Sequence, residues 1–149
     1  MKRFDFKLQK VLSYKTQIVD LEKNKLAALN RAHSVLLNER ITLNRQRSDN
    51  IRRLSVQQKT GIPVGSFAMH RNYIRELEKK IAGKDVQILK SRQDIDKQIA
   101  VVVESTKEEK TLQTLKDKRY EVYQYEERKA EEKYIEEFVS NKAATAVII

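Results

Sequence analysis

Phe67, Ile74, Ile81, Ile88, Ile95 and Val102 recur at an unbroken interval of seven residues. A straight α-helix drifts by about 20° per heptad relative to such a stripe, so a chain that keeps it this long supercoils around a partner. No proline follows Pro63, and Gly83 is the one glycine inside the pattern, where a helix tolerates it at a cost of about 1 kcal/mol. The pattern predicts one helix from about residue 66 to about 140, far beyond the usual length of about 12 residues.

The partner is upstream. Gly61-Ile62-Pro63-Val64-Gly65-Ser66 is the only cluster of helix breakers. Gly61 can adopt the left-handed conformation that ends a helix, Pro63 blocks continuation, and the Ser66 hydroxyl can cap a new start. The expectation is a first helix over about 5–59, a turn over 60–66, a second helix to about 140 and a mobile tail over 141–149, all in one coiled-coil domain.

The first helix has two seam series: Leu12, Val19, Leu26, His33, Arg40, Arg47, Leu54 and Leu8, Lys15, Glu22, Leu29, Leu36, Leu43, Asn50. Eight of these 14 positions are apolar, too few for a long parallel homodimer but enough beside a better-patterned strip. Folding back at the turn sets Leu43 against Ile81, Leu36 against Ile88, Leu29 against Ile95, Leu12 against Leu112 and Phe4 against Tyr120. Lys15 then meets Glu109, while Arg40 meets Lys84 and Arg47 meets Leu77. Those last layers predict splaying, or cations turned outward to a ligand or to solvent. From about residue 121 the second arm runs past its partner. The fold class is all-α, an antiparallel coiled-coil hairpin of two long helices with the second longer.

Composition closes other routes. The 149 residues include no Cys and two His, His33 and His70, so a cysteine nucleophile and an ordinary zinc site are excluded. No constellation around either histidine suggests catalysis. The spacing Gly61-x-x-x-Gly65 lacks the Lys-Ser/Thr of a phosphate loop. The glutamates read as partners of nearby cations, as in Glu76 and Lys80. The chain is expected not to be an enzyme and to need no metal or cofactor. No apolar run approaches 18 residues and no secretory signal opens the chain, so a cytoplasmic location is expected.

The net charge of +10 is unevenly placed. Residues 1–60 hold 14 basic and 5 acidic side chains, residues 61–149 hold 17 and 16, and residues 120–139 hold seven Glu against three cations. Arg40, Arg45, Arg47, Arg52 and Arg53 gather on one side of the turn, with Arg71, Arg75, Lys79, Lys80 and Lys84 on the other. The stretch beyond residue 120 is acidic and aromatic, which reads as a docking segment or as a solvated helix end.

The opening Phe4-Asp5-Phe6-Lys7-Leu8-Gln9-Lys10-Val11-Leu12, the turn Gly61-Ile62-Pro63-Val64 with Phe67, the run Tyr73-Ile74-Arg75-Glu76-Leu77-Glu78-Lys79-Lys80-Ile81 and the closing Glu131-Glu132-Lys133-Tyr134-Ile135-Glu136-Glu137-Phe138 together resemble the flagellar FliJ family. The resemblance implies a non-enzymatic component of bacterial flagellar protein export, and so of flagellum biogenesis, motility and chemotaxis. It implies a stalk similar to the gamma subunit of rotary ATP synthases. The implied partners are the ring of the export ATPase FliI, the export gate membrane protein FlhA and export chaperones. The implied place is the cytoplasmic face of the cell membrane, reached through the gate.

By position, the resemblance carries a gate-binding surface onto Glu39, Leu43, Gln46, Asn50, Tyr73, Leu77, Lys80 and Lys84. Gln46 and Asn50 stand where the family commonly has aromatics, and the register buries Leu43. The surface expected to meet the ATPase ring comprises Phe4, Leu8, Leu12, Tyr120, Tyr123, Tyr134 and Phe138. The equivalent stalk of a virulence type III secretion system shares this architecture. A nucleic-acid-binding coiled coil using the basic turn, although no nucleic acid is expected as a partner, and a membrane-surface helix over residues 7–31 are further alternatives.

Overall fold

The computed structural model describes residues 2–148; Met1 and Ile149, the ends of the expected domain, lie outside the described residues. Two helices account for nearly all of them: α1, Gln9–Thr60, and α2, Val64–Ile148. They form an antiparallel coiled-coil hairpin in which the second helix is the longer. The chain divides into two compact units, one built from the segments ending at Asp20 and beginning at Glu104, the other from Leu21–Val103.

Both seam series of α1 are visible in the burial. Every position of each is less exposed than its neighbours outside the seam, apart from half-buried Ile18. In α2 the stripe from Phe67 to Val102 is matched by a second series, His70, Leu77, Lys84, Ser91, Gln98 and Ser105. Most of that series is polar, and of its counterparts on α1 half are polar, Arg47, Arg40 and His33. Each unit keeps a small apolar core: Phe6, Leu12 and Val19 in the first, Leu54, Ile74 and Leu77 in the second. Each such side chain contributes roughly 1.5–3 kcal/mol by leaving water.

The like-charge layers do not splay. In the Leu21–Val103 unit, Arg40 turns to Asp85 at 2.5 Å, Lys84 pairs with Glu39, and Arg47 meets Glu78 at 3.2 Å. Each cation reaches past the seam to an acid beside its nominal partner on the opposite helix. In the other unit Lys15 pairs with Glu108 at 2.7 Å rather than with Glu109, one position from the expected layer. Exposed pairs of this kind are worth at most about 1 kcal/mol each, so they settle register more than stability. Glu76 pairs with Lys79 at 3.4 Å, not with Lys80, which has no ion pair among the described residues.

Two polar layers are hydrogen-bonded across the second unit. His33 Nδ1 lies 3.1 Å from Ser91 Oγ, and Gln98 Nε2 donates to the Glu22 carboxylate at 2.6 Å and to its carbonyl at 3.0 Å. The Gln98 bond, with a smaller contribution from Lys25, holds the Glu22 carboxyl below its ordinary value of 4.5 against a partial desolvation. The unfolded chain therefore takes up this proton first. The stability Glu22 contributes is complete above about pH 4.5 and is lost as pH falls through the lower folded value. Lys15 is raised above 10.5 by Glu108, so its contribution is complete below that value and is lost as pH rises through the folded one. Melting curves taken below pH 5 should show a shallower acid loss in Glu22→Gln than in the parent chain.

The chain ends differ from expectation. Residues 2–8 are not helical, although a helix was expected from residue 5. Phe4, Phe6 and Leu8 alternate with Asp5 and Lys7, and residues two apart share a side in extended chain but diverge on a helix. In this non-helical segment Phe6 is buried, and Phe4 sets its ring 5.1 Å from Tyr120, edge-on at 70°. At the turn, Gly61 takes φ 87° and α2 begins at Val64, with the Pro63 carbonyl accepting the Phe67 N–H at 3.1 Å. Ser66 is therefore inside the first turn rather than capping it. At the far end α2 continues through residues 141–148, beyond the helix end expected near residue 140.

Candidate partner-binding surfaces

The first candidate surface lies wholly in the Leu21–Val103 unit. A groove of about 760 Å³ runs along one flank between α1 and α2, lined by Val35, Asn38, Glu39, Thr42, Leu43 and Gln46 on α1 and by Lys80, Gly83, Lys84 and Gln87 on α2. Five residues of the expected gate surface meet here: Glu39, Leu43, Gln46, Lys80 and Lys84. Leu43 is half-buried, so it serves the seam and the groove together. Asn50 and Tyr73 line a second hollow of about 420 Å³ with Ser66, Met69 and His70. Tyr73, Lys80 and Gln87 are spaced by heptads and so share one edge of α2.

Leu77 does not belong to this surface. It is the most enclosed side chain among the described residues, 2% exposed, because its seam position points it at α1. Lys84 is tied to Glu39, which leaves Lys80 as the unpaired cation on the groove wall. Val35, Asn38, Thr42, Gly83 and Gln87 were not expected in the groove. An added Cβ at Gly83 would meet nothing within 4 Å, so this glycine serves no packing need. Gly83→Ala should stabilise the helix by about 1 kcal/mol and raise the melting temperature by about 2–4 °C.

The second candidate surface lies in the other unit and has two parts. Phe4, Tyr120 and Tyr123 form an aromatic cluster, with Phe4 also 5.4 Å from Tyr123 and the two tyrosines 6.2 Å apart. The Tyr123 hydroxyl donates to the Lys2 carbonyl at 3.0 Å, so this cluster ties down the N-terminal segment. The free length of α2 accordingly begins after Tyr123, not at residue 121. Leu12 is buried and Leu8 half-buried, and Leu12 is core rather than contact surface because its seam position turns it inward.

Tyr134 and Phe138 make up the second part. From residue 128 to 148 every position is exposed, although the segment is helical. Tyr134, Ile135, Phe138 and Val139 form a patch at i, i+1, i+4 and i+5 with exposures of 70, 58, 53 and 58%. Glu131, Glu132, Glu136 and Glu137 flank it. Ile135 and Val139, members of the acidic and aromatic stretch read from the sequence as a docking segment, belong to the patch although they were not among the residues expected to meet the ring.

Among the described residues no three His, Cys, Asp or Glu side chains are grouped to hold a metal ion. No helix among them is long and apolar enough to cross a membrane.

The family model for the flagellar FliJ protein matches residues 4–146. The chain belongs to the FliJ family. FliJ proteins are non-enzymatic components of the flagellar export apparatus. A comparison with curated proteins finds no match. Among solved structures, this FliJ family member is similar to a protein from Chlamydia trachomatis described as a homolog of YscO, at 20% identity over 91% of this chain and 93% of that one, with a TM-score of 0.47.

Proposed function

We propose that this FliJ family member is a non-enzymatic coupling stalk of flagellar export. The free end of α2 enters the ring of the export ATPase FliI, and the flank groove contacts the export gate protein FlhA at the cytoplasmic side of the cell membrane. Handover of export chaperones would use the same exposed surfaces. One observation carries the reading: a helical segment of α2, residues 128–148, is fully exposed yet bears a contiguous patch of two aromatic and two β-branched side chains. A soluble surface keeps such a patch where another protein covers it. The flanking glutamates favour a partner of opposite charge and speed encounter with it.

Removal of residues 124–149 tests this. The shortened chain should keep its helicity per residue and its melting temperature, because the deleted stretch buries almost nothing, while stimulation of purified FliI falls to background. Tyr73→Ala combined with Lys80→Glu should weaken capture of FlhA and leave FliI stimulation intact. Full stimulation by the shortened chain would remove the basis for placing α2 in the ring.

A further inference from the structure

Between Asn50 and Arg75 the chain has no Asp or Glu. The same stretch carries Arg52, Arg53, Lys59, Arg71 and Arg75, all exposed and none in an ion pair among the described residues. Beyond the stretch, residues 76–149 hold 15 cations and 16 anions and residues 1–49 hold 11 and 5, so acids are present on both sides of it. The acid-free stretch is the closed end of the helix pair in the Leu21–Val103 unit, and its turn, Gly61-Ile62-Pro63-Val64, is uncharged and mostly aliphatic.

The apolar side chains there are unusually open. Val64 is 84% and Met69 74% exposed, and Val56 and Ile51 are exposed on the α1 side. Burial inside the fold does not account for Val64 and Met69, which keep most of their surface open. An aliphatic apex set among cations with no carboxylate nearby matches one kind of surface: anionic headgroups over an acyl layer. We propose that the closed end of the hairpin docks on an anionic lipid bilayer, with Val64 entering the headgroup–acyl boundary and Arg52, Arg53, Lys59, Arg71 and Arg75 meeting lipid phosphates.

Nucleic acid also offers phosphates, but it has no use for an aliphatic apex. Phosphate contacts are made by polar groups, and single strands add aromatic platforms on which bases stack. Here Val64 and Met69 project at the apex, and Tyr73 is the only exposed ring in the stretch. The proposal goes beyond the ATPase and gate contacts, because it needs neither partner.

The full-length chain would be mixed with vesicles of phosphatidylcholine alone or of phosphatidylcholine with phosphatidylglycerol, and sedimented. Binding should require phosphatidylglycerol and weaken as salt is raised. Arg52→Gln with Arg53→Gln, whose helicity is checked by circular dichroism, should lower partitioning roughly thirty-fold. The chain contains no Trp, so Val64→Trp introduces a single reporter whose emission should shift to the blue on phosphatidylglycerol vesicles. Val86→Trp, on the exposed outer face of α2, should not shift. Absence of sedimentation, an unshifted Val64→Trp spectrum in the sedimented protein, an unchanged partition of the double-Gln variant, or retardation of duplex DNA at salt where vesicles no longer bind would each overturn the proposal.

Discussion

Leu77→Ala should destabilise the Leu21–Val103 unit by about 2–5 kcal/mol, the range for truncating a buried leucine. Leu77 is 2% exposed and lies in the core formed with Leu54 and Ile74, so removing its branched end leaves a void that two helices cannot readily close. Leu77→Met, which preserves volume, should cost less than about 1.5 kcal/mol. Tyr73→Ala, one turn away and 47% exposed, should have a minor effect on stability. Urea titrations of the three variants give the comparison directly. A loss under 1 kcal/mol for Leu77→Ala would mean that the seam is not where this unit is held. The contrast matters for binding studies too: a gate-binding defect in a Leu77 variant would report unfolding, whereas one in a Tyr73 or Lys80 variant would report contact.

Phe6→Ala should cost about 3–5 kcal/mol of local stability at the N-terminal segment. Phe6 is 4% exposed and has the Arg119 guanidinium 5.9 Å from its ring centroid, so the substitution removes a buried ring and a cation–π contact together. Because residues 2–8 make few other bonds, the loss should appear as opening of this segment while α1 beyond Leu12 stays folded. Amide exchange should therefore accelerate in residues 2–8 and at Gln9, whose N–H bonds to the Phe6 carbonyl at 2.9 Å, and be little changed near Leu54. Phe4→Ala should do less, since Phe4 is only half-buried. Uniform acceleration across both helices would show that the segment is integral to the whole fold.

The seam is the part of this fold most legible in the residues. Heptads of isoleucine on α2 and broken heptads on α1 report their own period, and the burial follows them position by position. The partners of the seam cations were not legible. Arg40 finds Asp85 and Lys84 finds Glu39 because long side chains can lean past the nominal layer, and register by facing positions ignores that reach. The N-terminal segment was misread for a different reason: Phe4, Phe6 and Leu8 signal period two, but three residues beside a long helical pattern are easily absorbed into it. Of the expected contact residues, Leu77 and Leu12 proved to be core. Positional resemblance says which residues matter, and only burial separates those that hold the fold from those that face outward.

Heptad spacing, one proline at the turn and the scarcity of glycine were enough to decide that this polypeptide makes two long helices folded against each other, because those features act through local backbone geometry and a repeating apolar stripe. The division into two units, the groove beside Gly83, the ion pairs that settle mismatched layers and the non-helical anchorage of Phe4 and Phe6 were decided only in three dimensions. They depend on which side chains reach across to the other helix, and that reach is a property of the packed pair.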